Sequence, residues 1–323
     1  MLIGLGALAP IAQSAPLSVE TKIALGDIQG RIDHLAVDLN RQRLYVAELG
    51  NDTVGVIDLQ QRKVINRLAG LKEPQGIAYE PSTDTVYVAN GGDGSVRLYK
   101  GADLRPLTRL ALGEDADNVR VDPDTHYVWV GYGSGALAAI DPVSTKTVAE
   151  IPLRGHPESF RLDPQGSHIF VNVPDVGEIG VVDRKARRQI ASWKTSPLTA
   201  NYPLILDGPQ TVLAVFRHPA RIGVFQKQDG RLLQALDTCD DSDDVFADAR
   251  RGRLYVTCGA GFVEIFAHEG LKYRSVGKLA TSSGARTSLF VPELDRLYLA
   301  VRAQRNEPAT IWVLRPEAAN SGE

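Results

Sequence analysis

Apolar and polar residues alternate along most of the chain in short runs, and these runs recur about every 42 residues. An acidic residue or a proline marks each repeat, at Asp38, Glu80, Asp122, Asp163, Asp207, Asp248 and Pro292. Most repeats then carry an aromatic–aliphatic segment, as in RLYVAE, TVYVAN, HIFVNV and RLYVTC. Alternation with a period of two is typical of β-strands that bury one face, and no helical periodicity separates the runs.

Each repeat therefore holds four short strands joined by turns rich in Gly, Pro and Asp. Units of this size and content are blades of a β-propeller. An α/β fold would need helices of about ten residues between the strands, and the linkers are too short for them. The sequence predicts an all-β fold, a single seven-bladed β-propeller over residues 17–316.

The two ends of the chain are predicted to meet in one blade. The last repeat, over residues 283–316, supplies only three strands. The segment TKIALGD at 21–27 is similar to TRLALGED at 108–115, which is the outer strand of the second repeat. We expect the N-terminal strand to complete blade 7 and close the ring, which removes a free sheet edge.

The first residues, 1–16, are predicted to be a signal peptide, because an apolar run too short to span a bilayer ends in small residues at Ala12-Gln13-Ser14-Ala15. The alternative is an apolar arm of a cytoplasmic protein, since the usual basic residues before the apolar run are missing. Residues 317–323 are interpreted as a C-terminal tail. We expect a periplasmic or secreted protein, and no later segment reads as a membrane span.

Composition narrows the class of partner. The 323 residues are 43% hydrophobic and 23% charged, as in soluble globular proteins, and the net charge is −3. Such a balance gives no basic face for nucleic acid. The two cysteines form no CxxC motif, which excludes a c-type haem. A monomer is expected.

The strand motifs are similar to those of a known family. YVAN at 87–90 and the pattern LYVA…VxVID resemble the YVTN-repeat, YncE-like bacterial β-propellers, and more distantly the NHL-type propellers. The resemblance covers about residues 18–316. It implies an exported propeller, often a binding module, and it specifies the fold better than the function.

Candidate ligand-binding residues follow from propeller geometry. Loops that lead into each inner strand share one face with the loops between second and third strands, and they converge on the central channel. Positions four and five before each repeat marker, the ends of second strands and one compensating arginine supply the candidates: Asp33, His34, Glu48, Asn90, Asp117, Asn118, Glu158, Asp243, Asp244 and Arg286. A polar, mainly acidic channel mouth is predicted, which would take a small polar ligand or a protein partner.

Arg120 and Arg161 interrupt inner strands where other repeats have Ala, Ile or Phe. A charge there needs a partner. Salt bridges between blades, with Asp117 and Glu158 within reach, are one interpretation, and anion binding is the other.

A divalent cation is a further hypothesis for the channel. Ca²⁺ takes six to eight oxygen ligands, and Asp33, Asn118, Glu158, Asp243 and Asp244 could supply some of them. This set loosely resembles the metal-binding channel of SMP-30/gluconolactonase-type propellers. In the competing interpretation these carboxylates accept hydrogen bonds from backbone N–H groups, as Asp does in turns.

The stretch DTCDDSDDVF at 237–246 places Cys239 at the end of one outer strand and four aspartates on the crossover into the next blade. Cys258 ends the second strand of that next blade. A Cys239–Cys258 disulfide is therefore geometrically possible.

Two functions remain open from the sequence. The first is a non-enzymatic binding module, because no GxSxG, HExxH or phosphate-binding motif is present. The alternative is a metal-dependent hydrolase or lyase that acts on a lactone or sugar derivative, in which a bound cation polarises a carbonyl and His34 or a carboxylate moves a proton.

Overall fold

The computed structural model describes residues 16–318, so nearly all of the expected signal peptide lies outside the described residues. Within that range the chain forms 28 strands in seven four-stranded antiparallel sheets arranged as blades in a ring. The prediction of a seven-bladed β-propeller is confirmed. None of the helical segments within residues 16–318 has the length and apolar character needed to cross a membrane.

The strands follow one another from the channel outward in each blade. Blade 1 has β2 (Leu35–Asp38), β3 (Arg43–Glu48), β4 (Thr53–Asp58) and β5 (Lys63–Leu68); blade 2 has β6 (Pro74–Glu80), β7 (Thr85–Asn90), β8 (Ser95–Lys100) and β9 (Pro106–Ala111). Blade 3 has β10 (Val119–Val121), β11 (Val128–Tyr132), β12 (Ala136–Asp141) and β13 (Lys146–Pro152); blade 4 has β14 (Phe160–Leu162), β15 (His168–Val173), β16 (Glu178–Asp183) and β17 (Arg188–Lys194). Blade 5 has β18 (Thr199–Asp207), β19 (Thr211–His218), β20 (Ala220–Gln226) and β21 (Leu232–Asp237); blade 6 has β22 (Ser242–Asp248), β23 (Arg253–Cys258), β24 (Phe262–Glu269) and β25 (Lys272–Ala280). Blade 7 has β26 (Ser288–Val291), β27 (Arg296–Val301), β28 (Ala309–Pro316) and β1 (Leu17–Gly26), and two 3-10 turns span Leu49–Asn51 and Pro174–Val176.

Blade 7 is built from both ends of the chain, as the repeat predicts. β1 pairs antiparallel with β28, and Lys22 lies opposite Trp312 with its ammonium 3.9 Å from the ring centroid. Because β1 covers the edge of β28, the polar edge of that strand is paired and the ring is closed.

The core consists of seven apolar clusters, one between each pair of neighbouring blades. A large residue on the second strand of each blade pairs across with a residue on the third strand, and side chains from the next blade pack against both. These pairs are Tyr45–Val56, Tyr87–Leu98, Trp129–Ala139, Phe170–Val181, Leu213–Val224, Tyr255–Ile265 and Tyr298–Val313. Pairs of an aromatic with a branched residue are favourable on a pleated surface, so the repeated aromatic has a packing role.

The repeated acid has a different role, on the face opposite the channel mouth. Asp38 accepts hydrogen bonds from the backbone N–H groups of Asn40 and Arg41, and Asp248 accepts one from Arg251. These contacts satisfy backbone donors in the turn between the first and second strands. Arg251 also pairs with Asp295 of blade 7 at 2.7 Å, which links neighbouring blades.

Candidate functional site

The channel mouth collects titratable groups from four blades. They stand at or just before the first residues of the inner strands, where the crossovers deliver the chain to the ring axis. Asp33, Asp117, Asp243 and Asp244 are buried or nearly so, and Glu158 is half-buried. The structure thus brings together most of the residues that the sequence predicts at this face.

At the rim, carboxylates and arginines pair across blades 5, 6 and 7. Arg217 donates to Asp243 Oδ1 at 2.6 Å and to the Ser242 carbonyl at 3.0 Å. Arg286 Nε lies 3.2 Å from Asp243 Oδ2, and Arg286 also donates to Asp241 at 2.7 Å. Burial raises the pKa of Asp243, and these two guanidinium groups oppose the shift.

A similar pair lies at the start of blade 1. Arg31 donates to Asp33 Oδ2 at 2.9 Å, and half of the Arg31 side chain is exposed. Burial raises the pKa of Asp33, while the charges of Arg31 and Arg286 act to lower it. In blades 1 and 6, part of the acidic rim that the sequence predicts is therefore paired with arginines.

Asp117 and Glu158 have no arginine or lysine in salt-bridge contact among the described ion pairs. Asp117 accepts a 3.3 Å hydrogen bond from Asn118 through Oδ2, while its Oδ1 is buried without a hydrogen-bond partner. Burial, and next the charge of Glu158, raise the pKa of Asp117 well above its usual range. Burial, and next the charge of Asp243, raise the pKa of Glu158 to about 7. Glu158 can therefore exchange a proton near neutral pH, as a donor to a ligand or a reacting group.

Asp244 lies deeper, between blades 6 and 7. Its Oδ2 accepts a 2.8 Å hydrogen bond from the backbone N–H of Ser288. Burial, and next the charge of Asp243, raise its pKa well above the usual range. The hydrogen bond to Ser288 is the structural role that the sequence left open for carboxylates at this position.

His34 stands beside two of these carboxylates. Its Nε2 lies 3.8 Å from Asp33 Oδ1, and its Nδ1 lies 3.9 Å from Asp244 Oδ1. Burial, and next the charge of Arg120, lower the pKa of His34 to about 4, while the charge of Asp243 acts in the opposite direction. His34 is therefore neutral at pH 7, and one of its ring nitrogens is free to accept a proton or a hydrogen bond.

Arg120 and Arg161 do not form the salt bridges with Asp117 and Glu158 that one interpretation of the sequence expects. Arg120 donates to Asn118 Oδ1 and to the Val119 carbonyl, both at 2.8 Å. Arg161 donates to the Phe160 carbonyl at 3.0 Å and to Ser159 Oγ at 3.3 Å. Each side chain bonds to its own strand, so its charge has no carboxylate within 4.0 Å among the described ion pairs.

The two arginines nevertheless influence each other. They lie on the inner strands β10 and β14 of adjacent blades, and each keeps part of its surface accessible to water deep in the ring. Burial lowers the pKa of Arg161 to about 9, and the charge of Arg120 contributes to the shift. The charge of Asp244 acts on both arginines from beyond salt-bridge distance, so two cations without a carboxylate in direct contact offer a favourable place for an anion.

Glu48 and Asn90 lie outside this group. Glu48 is fully buried within blade 1, where it accepts hydrogen bonds from Thr53 at 2.5 Å and Arg67 at 2.9 Å. Asn90 is fully buried in blade 2, where it donates to two carbonyls and accepts from the Lys72 N–H. Their hydrogen bonds hold the second strand to its neighbours, so neither side chain is directed to a ligand in the channel.

The metal hypothesis receives no geometric support from residues 16–318, in which no three His, Cys, Asp or Glu side chains are grouped as a set of metal ligands. The candidates Asp33 and Asp243 are held by arginines instead. Asn118 accepts from Arg120, which occupies the amide oxygen that would face a cation.

A disulfide joins Cys239 to Cys258, with a Cα–Cα distance of 5.9 Å that lies within the usual range. It connects the crossover after β21 to the end of β23. The crossover carries Asp241, and the start of β22 carries Asp243; both pair with Arg286. The disulfide therefore fixes one wall of the channel mouth.

Two rim residues, Arg217 and Asp241, are part of the candidate site although they were not among the predicted site residues. Arg217 stands at the end of a second strand, where blades 2 and 4 have Asn90 and Asn172, and the change of residue type was its signal. Its guanidinium also stacks 3.9 Å from the centroid of Tyr202. Asp241 had no distinguishing signal within its acidic run, and only the fold brings it to Arg286.

Comparison with solved structures shows the fold. A chain in the crystal structure of the mitotic checkpoint complex is similar, with a TM-score of 0.78 at 15% identity and 97% of each chain covered. A chain of Kuenenia stuttgartiensis hydrazine synthase gives 0.70 at 14% identity, with 97% of this chain and 100% of that chain covered. In sequence, no family model and no curated protein matches the chain. The family resemblance stays a prediction, and function must be argued from the site.

Proposed function

We propose that this propeller is a binding module whose central channel holds a small anionic ligand, such as a carboxylate or phosphate ester. The observation that carries the proposal is the pair Arg120 and Arg161, which lack a carboxylate partner among the described ion pairs and remain accessible in the channel. Keeping two such charges inside a fold costs several kcal/mol without compensation. An anion that bridges the two guanidinium groups would supply the compensating charge.

The surrounding groups suit an anion with hydroxyl or further carboxyl groups. Glu158 exchanges its proton near neutral pH because its pKa is raised to about 7, so it can donate a hydrogen bond in its protonated form. The neutral His34 offers an acceptor. Guanidinium groups bind carboxylate and phosphate oxygens through paired N–H donors, which favours a planar or tetrahedral anion over a neutral sugar.

Export remains part of the proposal. The Cys239–Cys258 disulfide supports it, since disulfides persist in oxidising compartments such as the periplasm. Together with the apolar residues 1–16, it favours a protein that meets its ligand outside the cytoplasm.

The test is calorimetric titration of the purified protein with citrate, inorganic phosphate and glucose at constant ionic strength. Citrate or phosphate should bind, and glucose should not. Arg120→Met and Arg161→Met should each weaken anion binding at least about tenfold, whereas Arg105→Met, at an exposed pair with Asp103, should not. Equal affinity in all three variants would refute the channel site.

The metal-dependent hydrolase or lyase is the second function under test. Glu158, with a pKa near 7, is the group that would exchange a proton in such a reaction. Addition of Ca²⁺ to dialysed protein should then raise Tm, and Glu158→Gln should abolish that rise. A Ca²⁺-dependent shift without anion binding would replace the present proposal with this one.

A further inference from the structure

A second cavity lies far from the channel mouth, between blades 3 and 4 on the opposite face. It measures about 500 Å³, within the range of sites for small organic molecules. Tyr127, Trp129, Ala139 and Ala149 form its apolar floor. The turns at 164–167 and 184–187 of blade 4 form its other wall, so it is an interblade cleft with a polar rim.

The repeat explains why the cleft exists here. Ala139 pairs with Trp129 on the third strand of blade 3. At the corresponding position the other six blades carry a larger branched residue that packs in the interblade core: Val56, Leu98, Val181, Val224, Ile265 and Val313. Interiors are normally packed without voids, and the alanine leaves more room here than the larger residue does at the interface of blades 7 and 1, where the cavity lined by Tyr298 and Val313 measures about 160 Å³.

The floor also contains an unmet hydrogen-bond donor. Trp129 is only 3% exposed, and its Nε1 is buried without a partner. The hydroxyls of Tyr45 and Tyr87 share this condition in blades 1 and 2, but there Val56 and Leu98 occupy the neighbouring space. A buried N–H without a partner is destabilising, and an acceptor on a ligand would recover the lost hydrogen bond.

The rim gives the cleft its charge. Arg184 donates a 2.5 Å hydrogen bond to Asp122. Lys185 and Arg187 are exposed, and neither has a carboxylate within 4.0 Å among the described ion pairs; Arg187 donates only to the Val148 carbonyl. Asp124 is the one unpaired carboxylate among the lining residues, so the rim carries a net positive charge.

We propose that this cleft binds a small amphiphilic anion. Its aromatic or branched aliphatic body would fill the space beside Ala139 and Trp129, and its carboxylate or sulfonate would meet Lys185 and Arg187. The site is independent of the channel, because the two share no residue and open on opposite faces of the ring. Either could therefore bind its ligand in the absence of the other.

The experiment uses the fluorescent probe anilinonaphthalene sulfonate, with the uncharged N-phenyl-1-naphthylamine as its matched partner. The full-length protein should bind the sulfonate with enhanced emission and with quenching of tryptophan fluorescence. Ala139→Val installs the residue type of blades 1, 4, 5 and 7 and should weaken binding of both probes at least about tenfold. Ala149→Gln, at a half-exposed position where blade 5 has Gln234, should act similarly, which covers the case in which the Ala139→Val change crowds Trp129 and unfolds the protein.

Charge and location are tested by two further variants. Lys185→Glu with Arg187→Glu should weaken the sulfonate at least about fivefold and leave the uncharged probe unchanged. Leu271→Glu alters a separate cavity of about 610 Å³ and should change neither probe. The proposal is overturned if folded Ala139→Val and Ala149→Gln proteins bind both probes as the wild type does, if the charge reversal affects both probes equally, or if Leu271→Glu abolishes binding.

Discussion

Arg217 donates a 2.6 Å hydrogen bond to Asp243 and so ties blade 5 to blade 6 at the channel mouth. The pair is mostly buried, and the Arg217 guanidinium also stacks on Tyr202. The contact joins residues 26 positions apart that lie on different sheets. The contact therefore forms only where the two blades pack together.

Replacement of Arg217 by Met should lower the free energy of unfolding by about 1–3 kcal/mol, because Asp243 then loses one of its two cations in a partly desolvated site. Urea unfolding measures the change. The matched control is Arg274→Met, at an exposed pair with Glu269 3.8 Å away, which should change stability by less than about 0.5 kcal/mol. Equal effects of both would show that the mouth pair is no stronger than a surface one.

Removal of the Cys239–Cys258 disulfide should destabilise the wall of the channel mouth that it fixes. Changing Cys239 and Cys258 together to Ala should destabilise the protein by about 3 kcal/mol, the value for closure of a loop of this length. Thiol titration of the unreduced, denatured wild type should find no free thiol; two free thiols per chain would contradict the disulfide.

Glu158→Gln should stabilise the protein at alkaline pH. The pKa of Glu158 is raised to about 7 in the folded state, so the folded protein binds more protons than the unfolded chain between about pH 4.5 and 7. Stability from this group is present at low pH and falls as pH rises through that window. The variant should melt about 2 °C or more above the wild type at pH 8 and equal it at pH 5. Identical profiles would place Glu158 in a solvated site.

His34 should titrate with a midpoint near 4 in the folded protein, since its pKa is lowered to about 4 by burial. The unfolded chain then binds more protons than the folded one between about pH 4 and 6.5, so this stabilising contribution is lost as pH falls through that window. NMR of the ring protons measures the midpoint. A midpoint near the ordinary histidine value of about 6.5 would contradict burial of His34.

Arg161→Met should cost no stability in the absence of an anion and should raise Tm by about 2 °C or more, because a deep charge without a carboxylate in direct contact is replaced by an apolar side chain of similar length. Citrate should raise the Tm of the wild type and leave that of the variant unchanged. A variant that is less stable than the wild type in anion-free buffer would indicate that Arg161 has a structural partner.

Much of the fold could be predicted because its signals are local and repeated. The aromatic of each second strand and the acid of each first turn recur, and each works within its own blade or against the next one. Closure of the ring by β1 could also be predicted, because its sequence is similar to that of an outer strand in another blade. Asp33, Asp117 and Asp244 could be placed at the mouth for the same reason, since the repeat gives their position in the ring.

What the side chains do at the mouth was decided by the tertiary structure. Repeat position says that Glu48 and Asp243 both end near one face, but only the packed ring shows that Glu48 turns into its own blade while Asp243 meets two arginines. Arg120 and Arg161 were visible as exceptions in the sequence, yet their lack of carboxylate partners depends on side-chain directions. The interblade cleft depends on the small side chain of Ala139, where the other blades have a larger branched residue. Strand patterns are set by neighbours in sequence, whereas charge pairing and cavities are set by distances of a few ångströms between residues far apart in the chain, which exist only once the ring is closed.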